Sequence, residues 1–465
     1  MDVTRDNFPQ ALAEFEQAIA ACDFVAIDME MTGLYEDRAS HPNRLDTKDE
    51  RYQKLKKSVE SYGVTQVGIC LFSWTDAADS DPDFGQVEHG YYEARPFNFN
   101  VFPCTNVNGV PVEVHFGCKN TAFDFLARNS FDFNKWIYQG IPYLRSEEAI
   151  RVKKEKMDLI KNRRQAMVDV GEKNRQFVEE FELALRKFVR SNSTQMKYST
   201  SNSFERKLIY QKVSEYDSLG TTGRAGFIEV FKSTKKAIAR QQDRKIETLN
   251  KCIKEATGFC AVIDLLSAAK KPVVGHNMPL DILHAYSKFY KPLPATRAEF
   301  EAAVGKFLPV LIDTKYIIES TPAIKAKYRT SNLDEIAPIL ESESRTAHPL
   351  IRNHPRFTRD MTRNMHEAGF DAYMTGATFI RLLNLGGGLR LNGSGRATEV
   401  EHSSELVLYR YINRLYLASS DDIFWPITAD ARPARALGAP PNPGEAITTK
   451  HLMNGISADF STSSF

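Results

Sequence analysis

No uncharged stretch of this chain reaches the roughly 20 apolar residues that a membrane-spanning helix needs. The N-terminus, MDVTRDNFPQ, lacks the basic-then-apolar layout of a secretory signal. Cysteine is scarce: 6 among 465 residues, at positions 22, 70, 104, 118, 252 and 260, with no CxxC pair. That scatter argues against a disulfide framework or a zinc ribbon and fits the reduced, mostly buried thiols of an intracellular protein. The expected address is cytoplasm or nucleus. There is no internal repeat. With 42% apolar and 26% charged residues, the chain is neither collagen-like nor wholly disordered and can build a sizeable core. At roughly 150 residues per domain, its length implies about two to three domains.

The net charge of +2 conceals an asymmetry. Residues 151–250 hold 23 Lys and Arg against 13 Asp and Glu, so a segment of +10 sits in a remainder of −8. The basic segment could hold a polyanion while the rest uses its carboxylates otherwise. A solvated, charge-laced helix over 151–190 would give the same pattern.

Apolar spacing predicts a helix over 10–22, then a buried strand from Phe24 to Met29. Val64–Phe72 reads as a second strand followed by a turn at Ser-Trp-Thr-Asp, and 99–103 and 112–116 as further short strands. The pattern becomes helical and charged from 147 to 190, and the polar stretch 191–203 breaks it. A helix over 204–216, a strand over 226–231 and a basic helix over 235–256 follow. Beyond them come a helix over 258–269, strands at 272–274 and 308–313, and a helix from about 370 to 384. The layout is an α/β domain interrupted by a basic insert, because neither flank alone alternates enough elements to close a sheet. The expected boundaries are 1–150 and 251–390 for the split domain, 151–250 for the insert, and 391–465 for a loop-rich segment with one strand at 408–417.

Three short stretches bear candidate chemistry. In FVAIDMEMTGL (24–34), Asp28 and Glu30 lie two apart at the end of an apolar strand, so they project from one face. Adjacent carboxylates repel unless a cation sits between them, and hard divalent metals prefer oxygen ligands. A solvated edge pair would look the same. In PVVGHNMPLDILH (272–284), Pro279 suits a first helical turn and Asp281 falls inside that turn, able to face the strand ends or merely to offset the helix dipole. His276 and Asn277 read as ordering the turn. In HEAGFDAYMTG (366–376), Asp371 opens a helix and His366 lies five residues earlier. Histidine can change charge near neutral pH and so could transfer a proton there, although a histidine by itself is also read as a hydrogen-bonded surface residue.

The joint order D-x-E, G-H-N-x-x-x-D and H-x-x-x-x-D resembles the DEDD exonucleases of the histidine subgroup; a tyrosine subgroup would place tyrosine where this chain has Glu367. RYQKLKK (51–57), RPFNFNVFP (95–103), FDFNKWIYQGIPYL (131–144), FERKLIYQ (204–211), FYKPLPA (289–295) and LIDTK (311–315) extend the likeness to the poly(A)-specific ribonuclease family, which includes deadenylases and trimmers of small-RNA 3′ ends. The resemblance implies a ribonuclease-H-like α/β nuclease fold split by a small α+β insert similar to the single-strand-binding domain named for its Arg-x-x-x-His motif. It implies a 3′-to-5′ exoribonuclease releasing nucleoside 5′-monophosphates from single-stranded RNA 3′ ends, poly(A) tails or small-RNA precursors. Asp28, Glu30, Asp281 and Asp371 would bind two Mg²⁺ ions, with Mn²⁺ as a substitute, and His366 would be the general base. Lys315 would contact the RNA backbone, and Phe116, Met31 and Leu34 the bases; a core role for Phe116 fits as well. A homodimer is also implied; the lack of a long apolar run, independently of the resemblance, leads to the expectation of no membrane attachment.

Three departures from the family pattern stand out. Arg206 is followed at the fourth position by Tyr210 where the insert motif has histidine. Met31 replaces an aromatic. After LYRYINRLYL (408–417) too few residues follow for a complete RNA-recognition domain to be expected, which favours trimming, or deadenylation without cap stimulation; the C-terminal anchor of some small-RNA trimmers is not expected either. The rival reading is a catalytically silent RNA-binding module that retains the nuclease fold.

Overall fold

The computed structural model describes residues 1–37, 39–75, 80–81, 85–86, 91–161, 170–343, 350–357, 366–385, 410–418, 420 and 422–427. The chain forms two compact units, Met1–Thr105 with Glu113–Ser146 and Thr257–Phe465, and Asn106–Val112 with Glu147–Ala256. Among the described residues no helix is long and apolar enough to cross a membrane. All six cysteines are free thiols.

The larger unit is built on a mixed ten-stranded sheet. Phe24–Met31 pairs antiparallel with Val64–Thr75, which pairs antiparallel with Tyr91–Pro103. On the other side of Phe24–Met31 lie Val273–Gly275, Leu311–Asp313 and Arg414–Tyr416, all parallel, and then Phe424–Pro426, antiparallel. Alternation along Phe24–Met31 divides its side chains. Val25, Ile27, Met29 and Met31 enter one core with Phe15, Phe97 and Phe99, while Phe24 and Ala26 enter the other. Asp28 and Glu30 continue the Phe24–Ala26 row.

Helix Phe8–Ala21 covers the first face, its Phe15 ring meeting Phe97 edge-on at 5.5 Å. Helix Ala368–Leu385 crosses the second, over Phe24–Met31, Val64–Thr75 and Tyr91–Pro103. Its Phe379 meets Phe24 edge-on at 5.2 Å, and Phe24 stacks on Phe72 at 4.7 Å. The start of this helix lies hard against the sheet. Gly68, which faces Asp28 in register, leaves room there: a Cβ at this position would stand 1.7 Å from the Ala368 carbonyl oxygen. Asn98 then accepts from the Gly369 N–H at 3.2 Å and donates to Glu367 at 2.7 Å.

The smaller unit has a three-stranded antiparallel sheet, with Phe227–Lys232 between Gln195–Ser199 and Leu219–Arg224. Helices Gly171–Arg190 and Ser203–Ser214 supply Phe181, Leu185, Phe188, Ile209 and Val213, which pack on Leu219, Ile228 and Val230.

Several elements differ from the reading of the sequence. No strand runs over 112–116; the nearest is a hairpin of Asn106–Val107 and Val110–Pro111, turned by Asn108 and Gly109, both at positive φ. Ser73, Trp74 and Thr75 continue the strand instead of turning, because they pair with Glu93, Tyr92 and Tyr91. The polar stretch 191–203 contains a strand, Gln195–Ser199, whose alternation places only every second residue on the core. The strand expected over 408–417 is confined to Arg414–Tyr416, with 401–409 outside the described residues. Most of the loop-rich segment 391–465 also lies outside them.

The approach at Gly68 has a measurable consequence. Gly68→Ala sets a methyl group against backbone that cannot rotate away, so it should lower the free energy of denaturant unfolding by about 1–3 kcal/mol. An unchanged midpoint would show that the helix does not need this contact.

Candidate active site

Strand and helix geometry bring the carboxylates together. One oxygen from each of Asp28, Glu30 and Asp371 lies within 4.8 Å of the others. Asp28 and Glu30 sit at the end of their strand, part exposed, and Asp371 is buried in the first turn of Ala368–Leu385. Asp281, buried in the helix Pro279–His284, takes a hydrogen bond from the Met29 backbone N–H, between the two strand carboxylates. Its charge acts on both Asp28 and Glu30. His366 offers its backbone N–H to the Asp371 carboxylate. It is held at φ 67°, and its ring meets Phe125 edge-on at 4.8 Å.

Burial and mutual repulsion push these acids upward. Asp28 is raised well above the ordinary carboxylate range by burial, then by Asp371, Asp281 and Glu30. Burial and the neighbouring carboxylates carry Glu30 to about 8. Asp281 reaches about 8 through burial, with Asp313 adding to it. Asp371 reaches about 7 through burial and then the charge of Asp334. The Oδ1 atom of Asp371 is buried with no hydrogen-bond partner. An all-oxygen donor set, crowded and short of one partner, fits hard divalent cations.

Two acidic residues escaped the reading of the sequence. Asp334, in the first turn of Leu333–Glu343, raises Asp371, Glu30 and Asp28 and stands 3.9 Å from His366 Nε2. A helix-start Asp gives no sequence signal beyond dipole compensation. Asp313 is fully buried and accepts backbone N–H bonds from Asn277 (3.0 Å), Met278 (3.2 Å), Lys315 (3.0 Å), Tyr316 (3.4 Å) and Tyr416 (2.9 Å). It thereby fixes the turn that starts the Asp281 helix. Its only signal was its position before Lys315 in LIDTK. His276 completes that turn, its Nδ1 lying 2.9 Å from the Thr314 hydroxyl, which donates to the Gly275 carbonyl at 3.1 Å. Burial lowers His276 to about 3 and keeps it neutral.

The other candidate residues are placed differently. Met31, Leu34 and Glu30 line one cavity of about 390 Å³ with Tyr35, Lys119 and Phe125. Phe116 is half-buried against Phe102 and Trp136, with ring centroids at 6.4 and 6.2 Å, and does not line that cavity. Lys315 extends over the Tyr416 ring at 5.5 Å.

The family model of the CAF1 family ribonucleases matches residues 3–379. The chain belongs to this family. It is a 3′-to-5′ exoribonuclease of the CAF1 and poly(A)-specific ribonuclease type. It is 30% identical over 452 residues to the poly(A)-specific ribonuclease PARN of Pongo abelii, covering 91% of this chain and 67% of that protein. It is 27% identical over 403 residues to the pre-piRNA 3′-exonuclease trimmer of Bombyx mori, covering 82% of this chain and 71% of the trimmer. Among solved structures, the Mg²⁺- and Mn²⁺-bound form of S. pombe Pop2p aligns with a TM-score of 0.41 at 14% identity, covering 89% of this chain and 98% of that one.

The raised carboxylates link stability to pH with a definite sign. With ordinary values of 3.8 to 4.5 in the unfolded chain and about 7 to 8 in the fold, the folded state keeps protons that the unfolded state has shed. The stabilisation is complete below about pH 4 and is lost as pH rises towards 8 in metal-free protein. Asp28→Asn removes one repelling charge, so its metal-free melting temperature at pH 8 should exceed that of the unmodified chain. Divalent cation should stabilise the unmodified chain more at pH 8 than at pH 6, with proton release seen by calorimetry in two buffers. A pH-independent melting curve without metal would sink the electrostatic account.

Proposed function

We propose that this CAF1-family chain is a Mg²⁺-dependent enzyme that removes nucleotides from the 3′ end of single-stranded RNA and releases nucleoside 5′-monophosphates. Its substrates are poly(A) tails or small-RNA precursors, the two kinds named in the similar relatives. The observation that carries the reading is the convergence of Asp28, Glu30 and Asp371 within 4.8 Å, with an unpartnered buried oxygen on Asp371. These three and Asp281 would hold the divalent ions, two per site, with Mn²⁺ as a substitute. Such ions, when bound, make water a stronger nucleophile and offset charge on the leaving oxygen.

The chain's own groups do the remaining work. His366 takes the proton of the attacking water. Met31 and Leu34, in the cavity beside Glu30, and Phe116 contact the bases at the 3′ end, and Lys315 contacts the RNA backbone near the scissile end. Contacts to 2′-hydroxyls favour RNA over DNA. Residues 151–250 supply attraction for the phosphate backbone through their excess of basic groups. A catalytically silent RNA-binding module has no need for a full set of carboxylates together with the histidine, which weighs against that alternative.

Asp281→Asn should abolish hydrolysis of a labelled oligonucleotide while leaving its binding largely intact, and chelator should do the same to the unmodified enzyme. His366→Ala should slow turnover roughly 10²–10⁴-fold, with partial recovery at higher pH as hydroxide replaces the lost base. A defect that ignores pH would assign His366 a structural role instead.

Polarity is tested separately. A circular RNA or one ending in a 3′-phosphate should resist degradation, and an all-DNA strand should be cut poorly. Efficient cutting of the circle would make the enzyme an endonuclease and overturn the requirement for a free 3′ end.

A further inference from the structure

The sheet of the smaller unit has two unlike faces. One is apolar and carries Ile228, Val230 and Leu219 against the two helices. The register places Ser199, Phe227 and Arg224 side by side on the other face, then Lys197, Glu229 and Thr222, then Gln195, Phe231 and Gly220. Gln195, Lys197, Ser199 and Arg224 are exposed, while Phe227 and Phe231 are half-buried. Neither phenylalanine belongs to the unit's core.

The rings are arranged in a particular way. Phe231 lies flat across Gly220, since a Cβ there would come within 2.3 Å of its ring. Any side chain at position 220 would tip that ring up. Phe227 carries the Lys197 ammonium over its ring at 5.5 Å. Arg224, opposite Phe227, adds a second cation, and among the described residues of the three strands Glu229 is the one acid on this face. Flat aromatic rings beside cations are the combination that holds unpaired bases while the cations meet phosphate. The Arg206 and Tyr210 side chains lie elsewhere. They approach Gly223, whose register partner is the core residue Ile228, so they stand on the helix side of the sheet.

We propose that the face bearing Phe227, Phe231, Lys197 and Arg224 is a stacking surface for the bases of single-stranded RNA, separate from the Arg206–Tyr210 pair. The occupant follows from the charge of the surrounding segment, which is +10 over residues 151–250, and from aromatic faces that suit any base. This inference rests on the reading that the smaller unit attracts RNA.

The test is fluorescence anisotropy of a long labelled single-stranded RNA on the full chain, with EDTA present to prevent hydrolysis. Phe227→Leu and Phe231→Leu keep apolar volume and remove the ring. Each should weaken binding roughly fivefold or more and leave the salt dependence unchanged, since no charge is lost. Replacing Lys197 and Arg224 by Gln should instead flatten the log–log salt slope by about 0.7 for each phosphate contact removed. Melting temperatures identify any variant that has lost its fold, and Phe227→Tyr, which keeps a ring, should then restore binding. Unchanged affinity in both leucine variants overturns the proposal, as does a change in oligomer mass by light scattering with RNA affinity intact. A Lys232→Glu, Lys236→Glu variant separates the two readings. If it flattens the salt slope while the leucine variants bind normally, the unit attracts RNA but not through this face. If it changes nothing either, the broader reading fails as well.

Discussion

Four carboxylates crowded at the end of one strand cannot be held together by attraction among themselves. Asp28, Glu30, Asp281 and Asp371 raise one another's proton affinity, and Asp334 and Asp313 add to the strain. What holds them is backbone. The sheet aligns Asp28 and Glu30, Met29 gives its N–H to Asp281, and the close approach of Ala368 to Gly68 brings in Asp371. The cluster is therefore assembled by packing far larger than itself. Packing of that extent can hold together an all-oxygen donor set of the kind that hard divalent cations prefer.

Asp313 shows the same division of labour. A fully buried carboxylate is costly unless its lone pairs are filled, and here five backbone N–H groups fill them. Those donors come from the turn before the Asp281 helix, from the start of the Lys315 helix and from the Arg414–Tyr416 strand. One side chain thus ties together three segments distant in sequence. The histidine of the GHN turn serves this framework, neutral and bonded to Thr314, and is not one of the clustered acids.

The smaller unit divides its charge and its apolar surface differently. Its helices turn apolar side chains towards the sheet, and the opposite sheet face mixes rings with cations. A surface of this kind suits a polyanion with exposed bases better than it suits a protein core. The larger unit, which carries the acids, is the less basic part of the chain.

Much of this was legible in the residues. Alternation along FVAIDMEM put Asp28 and Glu30 on one face of a strand, and Pro279 and the pattern after Gly369 set Asp281 and Asp371 in first helical turns, because local periodicity depends only on neighbours in sequence. Element ends were less legible: Ser73–Thr75 and Gln195–Ser199 are strands because partners distant in sequence complete their hydrogen bonds. Asp313 and Asp334 were not legible as parts of the site, since an acid beside a helix start looks alike whether it faces solvent or the cluster. Sequence by itself determined which residue types were available and on which local face each would stand. Only the tertiary structure decided which of those faces meet, because that depends on close approaches such as Ala368 at Gly68, which no local pattern encodes.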